Sequence, residues 1–351
     1  MSVDDATTAH GAALRDAAPT LEEVAALAGV SRSTASRALN GGKRVSAAAQ
    51  AAVDAAIAQL NYTPNRAARS LVTRRTDSIA LVIPEPDERV LTDPFFSGTL
   101  NGLSSALAGS DLQLVLIISR PGEAERTERY LRNGHVDSAV VVSHHKSDRL
   151  DTLLANSRMP SVFVGRPLNE VGRLHYIDVD NYGGGRLAAE HLVSLGRKRI
   201  GMVAGPQDMA AGRDRLRGWV DVLEASGLPT DMLVTSDFTA DTAQDAMAEL
   251  LDKHPDIDAV LAGSDLIAVG CINVLHERGR SVPDEIAVIG FDNLGVSTSP
   301  ALTTITNPVV AMSRAAGHML IELLENGERD AQHTQFSPEL VVRASTAPSD
   351  G

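Results

Sequence analysis

Seven short aliphatic runs, IALVIP, LQLVLII, AVVVS, PSVFVG, RIGMVAG, AVLAG and IAVIGFD, punctuate the chain from Ser78 onward, with helical stretches between them. Uninterrupted aliphatic runs suit strands buried on both faces, because a face left in water would show as alternation. Strands separated by helices pair in parallel, since a parallel partner needs a crossover long enough to carry a helix over the sheet. The pattern yields about ten strands, too many for one small sheet. Two sheets joined by crossing segments place a ligand cleft between two lobes, at the carboxyl ends of the strands.

At 351 residues the chain is long enough for two or three domains. Hydrophobic residues make up 43% of it, yet no run approaches the roughly 20 apolar residues of a membrane-spanning helix. The first 20 residues carry Asp4, Asp5 and Asp16 and lack the basic start and apolar centre of a secretory signal, so residues 1–18 read as a disordered tail. One cysteine, Cys271, excludes an intramolecular disulfide and a thiolate-cluster zinc site, which fits a cytoplasmic protein. The net charge of −13 argues against nucleic acid only as an average. Between Pro19 and Arg75, Arg32, Arg37, Lys43, Arg44, Arg66, Arg69, Arg74 and Arg75 face only Glu22, Glu23 and Asp54. A small basic module is thus joined to a large acidic one, and DNA is the expected partner of the first part alone.

In that basic module Thr20 and Glu23 have capping-box spacing, and Leu21, Val24, Ala25 and Ala28 share a face. Gly29 then marks a sharp turn, and Ser31 can cap a second helix running to Leu39. A third helix follows from Ser46 to Leu60, with Val53, Ile57 and Leu60 on one face and Asn61 placed to end it. In a helix-turn-helix the second helix enters the major groove and the side chains near its start reach base edges, which here are Arg32, Ser33, Thr34 and Arg37. The alternative is an ordinary helical hairpin with solvated arginines, which the charge asymmetry disfavours.

The segment TLEEVAALAGVSRSTASRALNG, followed by VS and then NYTPNRAARSL, resembles the N-terminal signature of the lac, galactose and purine repressor family. That resemblance implies a bacterial transcription regulator, a repressor binding a pseudo-palindromic double-stranded operator as a homodimer. Its DNA contacts would be Thr20, Ser31, Arg32, Ser33, Thr34, Arg37, Asn40, Asn65, Arg66, Arg69 and Leu71. In the family the stretch matching Asn65 to Leu71 is a hinge helix, and Leu71 stands where a leucine wedges into the minor groove, unstacking a base step and kinking the duplex. Without the resemblance Leu71 reads as a packed linker residue. One departure is Ala35, where a valine is expected; it trims packing, not base reading.

From Thr20 to about Pro348 the chain is similar to this family throughout, with DPFFSGTLNGL, DNYGGG, RDRLRGW, GFDN and LTTI in order. The resemblance implies a type I periplasmic-binding-protein-like core, so the expected fold is an all-α helix-turn-helix domain followed by an α/β two-lobed core with parallel sheets. The expected boundaries are 19–63 for the DNA-binding domain, 64–75 for hinge and linker, 76–177 plus 308–330 for the first lobe and 178–307 plus 331–351 for the second. Arg215 and Asp292 occupy positions that grip the effector in relatives, and Phe238 falls where an aromatic stacks on it. A guanidinium fork and a carboxylate suit vicinal sugar hydroxyls, and an aromatic face covers the apolar side of a pyranose. Asp93, Phe95 and Phe96 are candidates for the opposite wall. Ser264 stands where many relatives carry asparagine, and Asp265 beside it is either a ligand contact or a helix cap. A sugar is favoured over a purine, with a purine-responsive regulator kept as the alternative. No leucine heptad follows Pro338, so a dimer is expected in place of the lac repressor's tetramer.

Other signals are weaker. His144 and His145 are adjacent with no third ligand at zinc-like spacing, and Gly183 to Gly185 form neither a phosphate loop nor a dinucleotide fingerprint. Cys271 sits in an amphipathic segment as a buried thiol, and no serine occupies a nucleophile elbow. No metal, cofactor or enzymatic activity is expected. A transporter's solute-binding protein would share the core but need an export signal in place of residues 1–75.

Overall fold

The computed structural model describes residues 19–39, 45–63, 75–120, 122–169, 171–296, 298, 300–327 and 330–347. The chain separates into two compact units, one ending at Arg75 and one beginning at Thr76. The expected tail, hinge helix and contacts at Asn40, Asn65, Arg66, Arg69 and Leu71 lie outside the described residues.

The first unit contains three helices, α1 (Leu21–Leu27), α2 (Arg32–Leu39) and α3 (Ala47–Leu60). Each begins where a side chain can satisfy orphan N–H groups. Thr20 and Glu23 form a reciprocal capping box, Ser46 accepts from Ala49, and Asn61 closes α3 in the left-handed conformation. Val24, Ala25, Ala35, Ala38, Val53, Ala56 and Tyr62 form the core, so Ala35 is indeed a packing position.

The second unit contains two six-stranded sheets. The first is built from β1 (Ser78–Ile83), β2 (Gln113–Ile118), β3 (Ser138–Val142), β4 (Ser161–Val164), β5 (His175–Val179) and β11 (His333–Phe336), in the order β11-β5-β4-β3-β1-β2 and wholly parallel. The second holds β6 (Ile200–Ala204), β7 (Leu233–Thr235), β8 (Ala259–Ala262), β9 (Ala287–Asp292), β10 (Thr303–Thr306) and β12 (Leu340–Val341), in the order β12-β10-β9-β8-β6-β7. Only the short β12 runs antiparallel. The two sheets repeat one winding order, so each reverses direction beside its first strand, and loops at the carboxyl ends open a crevice there.

The chain crosses between lobes after β5, after β10 and again after β11. The expected boundary at residue 330 is therefore corrected: residues 331–336 belong to the first lobe, because β11 pairs with β5 from His333–Tyr176 to Phe336–Val179. β11 is an edge strand, and its sequence HTQF carries none of the aliphatic signal of a central one.

Helices cover both faces of the sheets, and some lie very close together. In the second lobe α8 (Asn181–Ser194) packs on α9 (Ala210–Ala225) through Gly185 and Gly218. A Cβ on Gly185 would fall on the Arg215 carbonyl, and one on Gly218 would fall on the Tyr182 carbonyl. Gly185→Ala must push α9 outward, and overpacking of this kind costs about 1–3 kcal/mol. Urea unfolding followed through the fluorescence of Trp219, the one tryptophan and fully buried, is expected to show that loss.

Candidate functional site

Between the lobes lies a cleft with about 750 Å³ of empty space, the open solvent at its mouth included. Asp93, Phe95, Arg215, Phe238, Ser264 and Asp292 line it. Phe96 does not: it is fully buried in the core below, edge-on to Phe95 at 5.5 Å. Adjacent residues on α5 (Pro94–Leu107) point about 100° apart, so only one of the pair faces the cavity.

Asp265 also turns away from the cavity. The helix α11 (Asp265–Glu277) is capped by Ser264, whose hydroxyl accepts from Ile267 N–H at 3.2 Å. The Asp265 carboxylate instead accepts from Leu294 N–H at 2.9 Å and from the Thr304 hydroxyl at 2.5 Å. It braces the loop after β9 from behind, and neither alternative expected for it holds.

Arg215 is the centre of the site. Its Nε donates to Asn181 Oδ1 at 2.8 Å, Nη1 to the Gly263 carbonyl at 2.6 Å and Nη2 to Asp292 Oδ1 at 3.1 Å. The guanidinium carbon stacks 3.6 Å from the Phe291 ring centre. Asp292 also accepts from Asn307 Nδ2 at 3.0 Å. Its backbone has φ 108° and that of Asn293 φ 55°, conformations that non-glycine residues hold only when surroundings enforce them. The turn aims the carboxylate back at Arg215 from the end of β9.

Sequence reasoning missed the groups that span the two lobes. Arg89, on α4 (Asp87–Thr92), lies 5.1 Å above the Phe238 ring centre of the other lobe. Arg166, after β4, donates to Asp214 of α9 at 2.5 Å. His145 joins Glu85, 3.1 Å from Nε2, to Asp208 of the second lobe, 3.0 Å from Nδ1. His144, beside it, faces Asp148 and Asp151 at 3.5 and 3.3 Å. All follow the carboxyl ends of first-lobe strands, Arg89 on the short helix after β1 and Arg166, His144 and His145 on loops, which is the one signal that could have nominated them.

Burial sets the electrostatics. It lifts Asp93 to about 6 and Asp178 to about 6, and it raises Asp292 despite Arg215 and Asn307. Burial, helped by the Asp292 charge, lifts Asp265 to about 7. Burial opposes charge on His145, but Glu85 and Asp208 outweigh it and lift the ring to about 9. Burial pushes the Cys271 thiol up to about 12.

Comparison with known proteins gives this architecture a place. Residues 20–65 match the model for bacterial regulatory proteins of the lacI family, and residues 189–346 match the periplasmic binding protein-like domain. The HTH-type transcriptional regulator CelR of Thermobifida fusca is 43% identical over 333 residues, covering 93% of this chain and 98% of that protein. The chain belongs to the lacI family of bacterial regulatory proteins. It is a DNA-binding transcriptional regulator. Among solved structures, a CelR–cellobiose complex is 40% identical, with TM-score 0.74 over 93% of this chain and 99% of that one. The lac repressor dimer bound to operator and an anti-inducer is 25% identical, with TM-score 0.80 over the same shares.

In this family member, Ser31 caps α2 through Thr34 N–H at 3.1 Å, and its hydroxyl lies within 2.9 Å of those of Ser33 and Thr34. Arg37 folds back on the Ser33 carbonyl at 3.0 Å, and exposed Arg32 pairs with exposed Glu22 at 2.6 Å. Exposed pairs of this kind are worth little, so the Arg32 side chain is readily freed from Glu22. The Thr20 hydroxyl is engaged by its capping box.

An acid whose folded value is raised binds protons more tightly in the native state. Stability therefore falls as pH rises between its unfolded and folded values. For Asp265 that window runs from about pH 4, its ordinary value, to about pH 7. Asp265→Asn is expected to flatten this decline and stabilise the core at pH 8, as Thr304 can turn to accept from the new amide. Denaturation midpoints at pH 5 and 8 check it; an unchanged slope would show that Asp265 titrates normally.

Proposed function

We propose that this protein is a cytoplasmic repressor without enzymatic activity that binds a pseudo-palindromic operator as a homodimer and responds to a neutral sugar held between the lobes. The observation that carries the ligand class is the pairing of charges around the cavity. Arg89 faces Glu85, Arg166 faces Asp214 and Arg215 faces Asp292, so the positive charge of each arginine lining the cavity is already met by a carboxylate. A phosphate would have to displace a carboxylate and bring its own charge toward Asp93 and Asp178, whereas sugar hydroxyls both donate and accept. Phe95 and Phe238 offer the apolar faces that a pyranose covers. The relative with 43% identity belongs to a regulator type solved with cellobiose, which makes a glucose disaccharide the first ligand to try.

Binding energy reaches the operator through linkage. If the sugar prefers one arrangement of the lobes and the operator another, each weakens the other by the same factor. Arg37, Ser33, Thr34 and Arg32 at the exposed start of α2 supply the operator contacts, with Thr20, Ser31, Asn40 and the segment containing Asn65, Arg66, Arg69 and Leu71 positioning the duplex.

The decisive experiment is a thermal-shift panel of cellobiose, glucose, glucose 6-phosphate and hypoxanthine on the full chain. A ligand at 100 times its Kd adds about 2.7 kcal/mol. Cellobiose is expected to raise Tm and to lose the effect in Arg215→Lys, while the phosphate and the purine do nothing. A shift with hypoxanthine alone would make this a purine-responsive regulator. In parallel, fluorescence anisotropy against an operator selected from random duplexes is expected to show Arg37→Ala losing about 1–3 kcal/mol of specific affinity. Equal loss on every sequence would reduce Arg37 to a phosphate contact.

A further inference from the structure

Arg89 differs from the other two cavity arginines. Its Nη1 donates to Glu85, but its Nε is buried without an acceptor, 3.8 Å from the nearest Asp93 oxygen. The side chain is 9% exposed and lines the cavity, held between the rings of Phe96 and Phe238 with its guanidinium carbon 5.6 and 5.1 Å from their centres. A buried guanidinium N–H with no acceptor is unfavourable until something polar meets it, and the side chain that carries it lines the cavity.

What holds Arg89 in place comes partly from the other lobe. Three donors converge on Glu85 Oε1: Arg89 Nη1, the Ser143 hydroxyl at 2.5 Å and His145 Nε2 at 3.1 Å. His145 Nδ1 lies 3.0 Å from both carboxylate oxygens of Asp208, and Lys146 N–H donates to the Asp208 carbonyl at 2.9 Å. Asp208 follows β6 in the second lobe, whereas Glu85, Ser143 and His145 follow strands of the first. Separation of the lobes would remove one of the two carboxylates that keep His145 charged. A less basic His145 donates less strongly to Glu85 and leaves Arg89 less firmly held.

We propose that Arg89 is a specificity-determining contact for the effector, acting through its unpartnered Nε, and that Glu85, His145 and Asp208 position it when the lobes close. Arg89 touches the ligand; the other three are positioning residues. The proposal rests on the sugar-responsive reading above and assigns that site a sensor of closure. Glu85, Asp208, Asp148, His144 and Arg89 are the charged or titratable groups facing His145, and Asp148 accepts from its backbone N–H at 2.7 Å. With its ring lifted to about 9, His145 is charged at neutral pH and loses its proton above that value.

Calorimetry with cellobiose and with glucose on the full chain tests this. Arg89→Lys keeps the charge but removes Nε, and is expected to lower cellobiose affinity by about tenfold, the worth of one good charge-assisted hydrogen bond. Its ligand-free Tm should stay near that of the native protein, which separates lost contact from lost folding. Native affinity for cellobiose should fall from pH 8 to pH 10, and Asp208→Asn should weaken binding several-fold and remove that fall. His145→Gln, which keeps a donor and an acceptor without the charge, should give an equally flat profile. The double variant Arg89→Lys with Asp208→Asn should bind no more weakly than Arg89→Lys alone, because positioning matters only while Arg89 is there to be positioned. Additive losses would overturn the positioning chain. Native affinity retained by Arg89→Lys would overturn Arg89 alone and leave the sugar reading standing. Native protein that binds neither sugar would overturn both.

Discussion

A buried arginine holds this core together at the point where the lobe that carries it faces the cavity. Arg215 is 4% exposed and ties together Asn181 at the start of α8, the carbonyl of Gly263 after β8 and Asp292 at the end of β9. Taking both charges out of water nearly cancels their attraction, so the pair adds little net stability, but removing one partner costs about 3–5 kcal/mol. Such a group specifies geometry more than it stabilises. It explains the neighbouring features: a strained turn at Asp292 and Asn293, an Asn307 that shares the carboxylate, and glycines at 185 and 218 that let α9 approach near enough to deliver the arginine.

Contacts across the cleft have a different character. The buried aliphatic core runs on from one lobe into the other, whereas above the cavity the lobes meet through ion pairs and one arginine on an aromatic face. Hydrophobic burial is non-directional and hard to reverse locally, while partly wet ion pairs are cheap to exchange. Such contacts can be rearranged at little cost, and a ligand shifts only an equilibrium whose two states lie close in free energy.

Much of the fold was legible because its signals are local. Capping residues at Thr20, Ser31 and Ser46 and the left-handed Asn61 act within a few residues of themselves, and the central strands announced themselves as aliphatic runs. The edge and outer strands did not. HTQF of β11 is mostly polar, since an edge strand need not bury both faces, and HYIDV beside it in β5 is broken by His175 and Asp178; the third crossing between lobes was misplaced with them. Within the site, Arg215, Asp292 and Phe238 could be named from motifs. Phe95 and Phe96 could not be told apart, because which of two neighbours faces a cavity depends on the rotation of α5 against its sheet.

The sequence by itself determined that a basic three-helix module precedes an acidic, parallel-stranded α/β core, because charge, caps and apolar periodicity are written in order along the chain. Only the tertiary structure decided that Asp265 braces a loop instead of facing the cavity. The same is true of Arg89's buried Nε without an acceptor, and of His145 lying between carboxylates that are 123 positions apart in the sequence, Glu85 and Asp208. These properties come from convergence in space. A carboxylate's affinity for protons and an N–H group's need for a partner are set by what surrounds them, and the surroundings arrive from strand ends far away in the chain.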